Sequence, residues 1–268
     1  MVPIFKKGSK KDKESGNYRP VSLTSHICKI LEKIIKEEIV KYLEENELIR
    51  DSQHGFRSRR SCLTNLLEFT ENMLENKDDQ VAVDILFFDL QKAFHKVSYK
   101  RLVHKLQGIG IGGKLLKWIK EWLRDRKQRV VLNVSFSDWR DVTSGVPQRS
   151  VLGPLLFIVY INDMESGILS RFWKFADDSK MVGRVNSEIE VDAIREDLNR
   201  LVEWTKRWKM PLNTTKCKVM HLGKKNPMTK YEIEGVRIPV TREEKDLGVI
   251  IHDSLKVESN FGKSVKKR

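Results

Sequence analysis

Arg171-Phe-Trp-Lys-Phe-Ala-Asp-Asp-Ser-Lys-Met-Val-Gly-Arg-Val185 reads as two short strands folded back on each other. Aromatic and apolar residues recur along both arms, and the polar pair Asp177-Asp178 sits where a hairpin tip belongs. Upstream, Val81-Ala-Val-Asp-Ile-Leu-Phe-Phe-Asp89 is a β-branched and aromatic run that ends on an acid, the signal of a buried central strand. These two stretches decide the fold.

Between them the pattern predicts helices over Tyr99–Gln107 and Lys114–Arg126, then a strand over Gln128–Val134. The loop Thr143–Gln148 leads into an apolar helix running through Asp163, with Pro154 in its first turns. Downstream, a long helix is expected from Ser187 to about Lys209, with Ile194, Leu198, Leu201, Val202 and Trp208 inward. Strand-like Cys217–Leu222, a hairpin around Glu234-Gly235 and strand-like Leu247–Ile251 follow. From Val81 to Leu222 the order is strand, helix, strand–strand, helix, strand. That is the split βαβ arrangement, an α+β fold whose antiparallel sheet carries helices on one face.

Toward the N-terminus, residues 6–19 read as a Lys-rich loop or open hairpin, with Lys6, Lys7 and Arg19 among its cations. A helix is expected from Ser25, burying Ile27, Ile30, Leu31, Ile34 and Leu43; a second, capped by Ser61, would bury Leu63, Leu66, Leu67 and Leu74. Gly262–Arg268 is a basic tail.

Composition narrows the partners. A net charge of +14 on 268 residues points to a polyanion such as nucleic acid, although a solubilising surface explains the charge equally well. Cys28, Cys62 and Cys217 form no C-x-x-C pair, which argues against a disulfide framework or structural zinc and for a reducing compartment. The start of the chain lacks a signal-peptide pattern, and the longest apolar run, Val151–Ile161, is interrupted by Gly153-Pro154 and too short to span a bilayer. No membrane role is expected.

In the split βαβ topology the first strand and the hairpin are neighbours, so Asp89 lies near Asp177 and Asp178. Crowded carboxylates repel, and a hard divalent cation such as Mg²⁺ relieves them. Two such ions suffice for nucleotidyl transfer without a protein nucleophile. Ordinary turn chemistry accounts for the same residues, and spacing alone does not choose.

Several motifs in order do choose. Phe88-Asp89-Leu-Gln-Lys-Ala-Phe94-His95-Lys-Val97, Ser144-Gly-Val-Pro-Gln148-Arg149-Ser-Val-Leu-Gly-Pro154 with Tyr160-Ile-Asn-Asp163, and Phe175-Ala-Asp177-Asp178 resemble palm motifs of reverse transcriptases from LINE-type (non-LTR) retrotransposons. Asn17-Tyr-Arg-Pro-Val-Ser-Leu23 and Gln53-His-Gly-Phe-Arg57 resemble the fingers motifs, and Leu212-Asn213 with Lys216, and Leu247-Gly-Val249, two further palm landmarks. The likeness runs from about Val2 to Ile251 and lies nearest the jockey and chicken-repeat branch.

The resemblance implies fingers over 1–80, a palm over 81–251 interrupted by fingers-like helices at about 98–140, and a basic tail over 252–268 with the thumb absent. It implies an RNA-directed DNA polymerase using an RNA template, a DNA primer and dNTPs, inside the cell, in nucleus or cytoplasm. Asp89, Asp177 and Asp178 would hold Mg²⁺, with Mn²⁺ as a substitute. Phe94 would lie under the incoming sugar, Gln148 would touch the nucleotide, and Arg19 with Lys6 or Lys7 and Lys216 would face the triphosphate. Each has an ordinary alternative: a core aromatic, a loop amide or a solvated cation.

Two positions depart from the family pattern. His95 stands where the family has a second Asp, and Arg149 where it has the Gly of a Pro-Gln-Gly loop. Together with the missing thumb they suggest a truncated, decaying element. Three activities therefore stay open: a polymerase of impaired turnover, a nucleic-acid-binding relic without catalysis, and a metal-dependent nuclease on the same acids. Phe94 and the Pro-Gln loop speak against the third, since hydrolysis needs neither.

Overall fold

A computed structural model of the chain describes residues 2–5, 18–21, 25–132 and 134–255. In chain order the elements begin with β1 (Val2–Phe5), β2 (Tyr18–Val21), α1 (His26–Glu45), α2 (Cys62–Asp78) and β3 (Val83–Asp89). Then come α3 (Ala93–Lys96), α4 (Tyr99–Gly108), α5 (Gly113–Leu123), β4 (Lys127–Gln128), β5 (Val131–Leu132), β6 (Ser135–Phe136), β7 (Arg140–Asp141) and α6 (Gly153–Tyr160). The last are β8 (Arg171–Phe175), β9 (Asp178–Arg184), α7 (Glu188–Trp208), β10 (Lys218–Leu222), β11 (Glu232–Ile233), β12 (Val236–Arg237), β13 (Glu243–Asp246) and β14 (Val249–His252). They divide between two compact units: Met1–Ile49 with Lys92–Ile161, and Arg50–Gln91 with Asn162–Arg268.

The second unit is built on an antiparallel sheet in the order β10-β3-β9-β8. β3 is central, which is why its run is apolar on both sides. One face buries Ile85, Phe87, Val182, Trp173 and Met220 against Phe69 and Met73 of α2. Residues on the other face point toward α7: a Cβ added at Gly183 would stand 2.3 Å from Ile194 Cγ1, so the helix seats against bare backbone there. Ser187 and Glu190 form a capping box that starts α7. Beyond the sheet, β11–β12 and β13–β14 are separate two-stranded hairpins.

In the first unit, α4 packs with α5 and α6. Buried Glu32 of α1 accepts the backbone N–H groups of Val151 and Leu152, at 2.7 and 3.1 Å, just before α6 begins. A carboxylate at a helix start satisfies orphan donors and the helix dipole together. Lys105 donates from the core to the Tyr160 carbonyl at the other end of α6.

Four expectations need correction. Ile27, Ile30, Leu31 and Ile34 of α1 are exposed, and Ile39, Leu43 and Glu32 are buried on the opposite side. In α2, Leu63, Leu67 and Leu74 are exposed and Leu66 is half-buried, while Asn65, Phe69, Asn72, Met73 and Asn76 face inward. The buried amide groups donate inward, Asn65 to the Lys174 carbonyl and Asn76 to the Asn72 carbonyl, which offsets much of the cost of burying them, although the Asn65 Oδ1 is left without a hydrogen-bond partner. The expected strand Gln128–Val134 breaks into β4 and β5, which pair with β7 and β6. In α7, Trp204 is buried with its indole N–H on Asp163, and Trp208 is half-buried.

Candidate active site

In the second unit, β3 and β9 end together. Their register sets Asp89 opposite Asp178, and β8 pairs Phe175 with Asp178 across the two-residue turn Ala176-Asp177. The turn puts Ala176 at φ 54°, a left-handed conformation uncommon for an alanine. A side chain from far upstream braces it. Gln53 Oε1 accepts the Ala176 N–H at 3.0 Å and the Gly55 N–H at 2.8 Å. A Cβ at Gly55 would lie 2.5 Å from the Ala176 nitrogen, so only glycine lets the chain pass. Sequence marks Gln53 only as the first residue of the Gln53–Arg57 stretch. Its bracing role has no signature in composition or periodicity, because the contact spans 123 residues.

Charge is concentrated here. The Asp178 carboxyl is pushed up to about 6, first by burial and then by the negative charges of Asp177, Asp246 and Asp89. Packing around the carboxyl removes part of its water although Asp178 as a residue is still exposed, so solvent screens part of the repulsion and an ion has access to it. Lys216 places its ammonium 2.6 Å from Asp89 Oδ2, and the Asn213 amide stands 3.4 Å from the same oxygen. A cavity of about 420 Å³ opens beside these groups, lined among others by Asp89, Asp178, Ser179, Lys216, Lys218 and Lys245.

Does this donor set fit a divalent cation? Among the described residues no group of three His, Cys, Asp or Glu side chains is disposed to close on one ion. The chemistry nevertheless suits one: hard oxygen donors, mutual repulsion, and a carboxyl raised by burial and by neighbouring negative charge, which a bound cation would relieve. At Asp89 the Lys216 ammonium supplies that charge, and a metal would have to displace it.

The raised carboxyl has a measurable consequence. A group whose value is lifted on folding stabilises the fold below its ordinary value of 3.8, and that contribution is lost as pH rises through about 6. In EDTA, Asp178→Asn should therefore gain melting temperature over the parent, more at about pH 7.5 than at about pH 5. An equal difference at both pH values would mean that folding does not raise the Asp178 carboxyl.

The remaining expected residues lie elsewhere. In the first unit, Phe94 stacks on Phe157 at 4.4 Å between ring centroids and is half-buried. Its carbonyl accepts the Val146 N–H at 2.8 Å, and the Ser144 hydroxyl donates to the His95 carbonyl at 2.9 Å. Gly145 at φ 88° passes against that backbone, where a Cβ would be 2.8 Å from the Phe94 oxygen. Phe94 and the loop of Gln148 are thus tied into one structure. Gln148 lines a cavity of about 190 Å³ with His95, Arg126 and Gln128, and its Oε1 is buried without a hydrogen-bond partner. Such an atom invites a donor from a ligand. Arg149 is exposed at φ 67°. Arg19 lies on β2, paired with Ile4 of β1, and its side chain falls outside the described residues, as do Lys6 and Lys7. No described helix is long and apolar enough to cross a membrane.

Comparison with known proteins shows the family and the fold. A sequence profile described as "Reverse transcriptase (RNA-dependent DNA polymerase)" matches residues 6–251. The chain is 30% identical over 259 residues to the probable RNA-directed DNA polymerase from transposon X-element of Drosophila melanogaster, covering 94% of this chain and 28% of that protein. It is 29% identical over 267 residues to the RNA-directed DNA polymerase from mobile element jockey of Drosophila funebris, covering 95% and 29%. The chain therefore spans under a third of the length of these relatives. Among solved structures, a telomerase from Candida tropicalis in complex with a telomeric RNA fragment superposes with a TM-score of 0.59 at 12% identity, over 91% of this chain and 43% of that one. The likeness at that identity is one of fold, and the α+β polymerase architecture is shared.

Proposed function

Because the chain belongs to the reverse transcriptase (RNA-dependent DNA polymerase) family, we propose that it adds dNTPs to the 3′-hydroxyl of a DNA primer on an RNA template. One observation carries this: Asp89 and Asp178 face each other in register beside the Asp177 turn, with Asp178 lifted to about 6 by burial and then by its acidic neighbours. The proposed ligands of Mg²⁺, or Mn²⁺ in its place, are Asp89, Asp177 and Asp178. Bound there, the metal ions would lower the cost of ionising the primer hydroxyl and of releasing pyrophosphate. The protein's own groups hold and orient. Lys216, freed from Asp89, would face the triphosphate; Phe94 would bar a 2′-hydroxyl by size; Gln148 would give its unpartnered oxygen to the nucleotide. Arg19, Lys6 and Lys7 are proposed as further triphosphate contacts.

In this reading 1–80 works as fingers, 81–251 as palm around an insertion at about 98–140, and 252–268 as a basic tail, and copying takes place inside the cell, in the nucleus. The test is primer extension in Mg²⁺ by the parent and by Asp177→Asn. Extension that survives in the variant would remove the proposed site.

Binding should not depend on turnover. With a net charge of +14, affinity for an RNA–DNA hybrid should fall on the order of tenfold or more between about 50 and about 200 mM salt. Asp177→Asn should bind as tightly as the parent or slightly tighter, since it removes a negative charge. Salt-independent binding would overturn the electrostatic account.

A further inference from the structure

Lys180 and Asp246 form an ion pair that the reaction chemistry does not use. Lys180 stands two residues past Asp178 on β9, on the face of the sheet that carries α2. Its side chain is only 3% exposed and that of Asp246 only 9%. The Lys180 ammonium also sits 4.2 Å over the Phe69 ring of α2. A cation held by a carboxylate and an aromatic face, away from water, has few alternative positions.

Asp246 ends β13, so the pair joins the sheet to the β13–β14 hairpin. That hairpin turns tightly at Leu247 and Gly248, with φ 46° and 95°, and forms a two-stranded sheet of its own rather than extending the central one. Among the described residues, backbone bonds hold only its entry, where the Thr241 N–H donates to the Val219 carbonyl of β10; the hairpin itself is held by side chains, including Ile251 in the core and Asp246 on Lys180. Glu244, Lys245, Asp246 and Leu247 also line the 420 Å³ cavity that opens on Asp89 and Asp178. The hairpin is thus one wall of the cavity, and the carboxylate strands are another.

We propose that Lys180 and Asp246 are a positioning pair that fixes the 243–252 hairpin as the second wall of this cavity, and so sets where a nucleic-acid strand end lies relative to Asp89 and Asp178. The effect on the strand end rests on the polymerase reading; the effect on the hairpin does not. An ion pair is directional, whereas apolar burial is not, so replacing the pair with apolar residues should restore packing without restoring position.

Two variants test this: Lys180→Met/Asp246→Leu, which refills the volume, and Asp246→Asn, which keeps the shape and removes the charge. Each is measured by melting temperature, by hydrogen exchange of amides 243–252, and by KM and kcat for primer extension on an RNA template. Hairpin exchange should quicken on the order of tenfold while sheet amides in β3 keep their protection. KM for primer–template should rise on the order of tenfold, with a smaller change in kcat. If both variants exchange and bind like the parent, the pair is packing alone and the proposal fails. If the parent extends no primer, the polymerase reading fails, and the exchange result still decides the tether.

Discussion

Arg149→Gly should raise primer extension by about tenfold or more and leave the protein slightly more stable. Arg149 is the third residue of the turn Pro147-Gln148-Arg149-Ser150, in which the Ser150 N–H donates to the Pro147 carbonyl at 3.2 Å. Its φ of 67° lies where an L side chain costs about 1–2 kcal/mol and where such turns favour glycine. Glycine removes that strain but adds freedom to the unfolded chain, so a net gain of about 1 kcal/mol is the expected ceiling. The functional effect is larger. The same turn holds Gln148 and is anchored by the Ser150 hydroxyl, which donates to the Pro147 carbonyl and accepts from the Gly153 N–H. An exposed guanidinium on this loop offers a triphosphate a competing partner, and an error near 1 Å in placement costs about a hundredfold in rate. His95→Asp should help less, and the double variant most. Single-turnover extension at low salt measures this. Equal extension by Arg149→Gly and parent, with primer–template bound equally, would clear Arg149.

Asp89→Asn and Asp177→Asn should each reduce Mg²⁺-dependent extension by about three orders of magnitude or more, the loss expected when several kcal/mol of charge stabilisation disappear. Neither should unfold the protein. Asp89 is paired with a largely exposed Lys216, and exposed pairs contribute about 0–1 kcal/mol. Asp177 occupies a turn whose backbone is braced from Gln53 through Ala176, and asparagine suits turns as well as aspartate does. Circular dichroism and hybrid binding should therefore match the parent. A variant that is inactive because it is unfolded would say nothing about metal ligation, which makes these controls part of the measurement.

The central sheet was legible because local signals and tertiary demands agree there. β3 is buried on both faces and its sequence is apolar between Asp84 and Asp89; the β8–β9 turn falls at Ala176-Asp177, one residue earlier than the Asp177-Asp178 tip the sequence suggested, so that Asp178 opens β9; α1, α2 and α7 start at Ser25, Ser61 and Ser187, each of whose hydroxyls caps its helix. Helix orientation was less legible. Both α1 and α2 carry an apolar stripe at helical spacing, and in both the buried side is the other one, where Glu32, Asn65, Asn72 and Asn76 hide among larger apolar residues. Periodicity finds a stripe; it does not find a carboxylate that will cap a helix formed some 120 residues later.

The site divides in the same way. Asp89, Asp178 and Lys216 come together because strand register fixes two of them and a short loop carries the third. Gln53 under the Ala176 turn and Asp246 on Lys180 are pairings across 123 and 66 residues, and a single sequence holds no local trace of them. The left-handed backbone at Arg149 turned a departure from a motif into a specific strain, which residue type alone could only suggest.

The most direct test is templated single-nucleotide addition. The parent protein is given a DNA primer on an RNA template, Mg²⁺, and one dNTP at a time. The account predicts that only the dNTP complementary to the next template base is added, that EDTA stops the addition, and that Asp177→Asn does not perform it. Addition without regard to the template base, release of nucleotides from the primer when no dNTP is supplied, or no addition by protein that demonstrably holds the primer–template would contradict it.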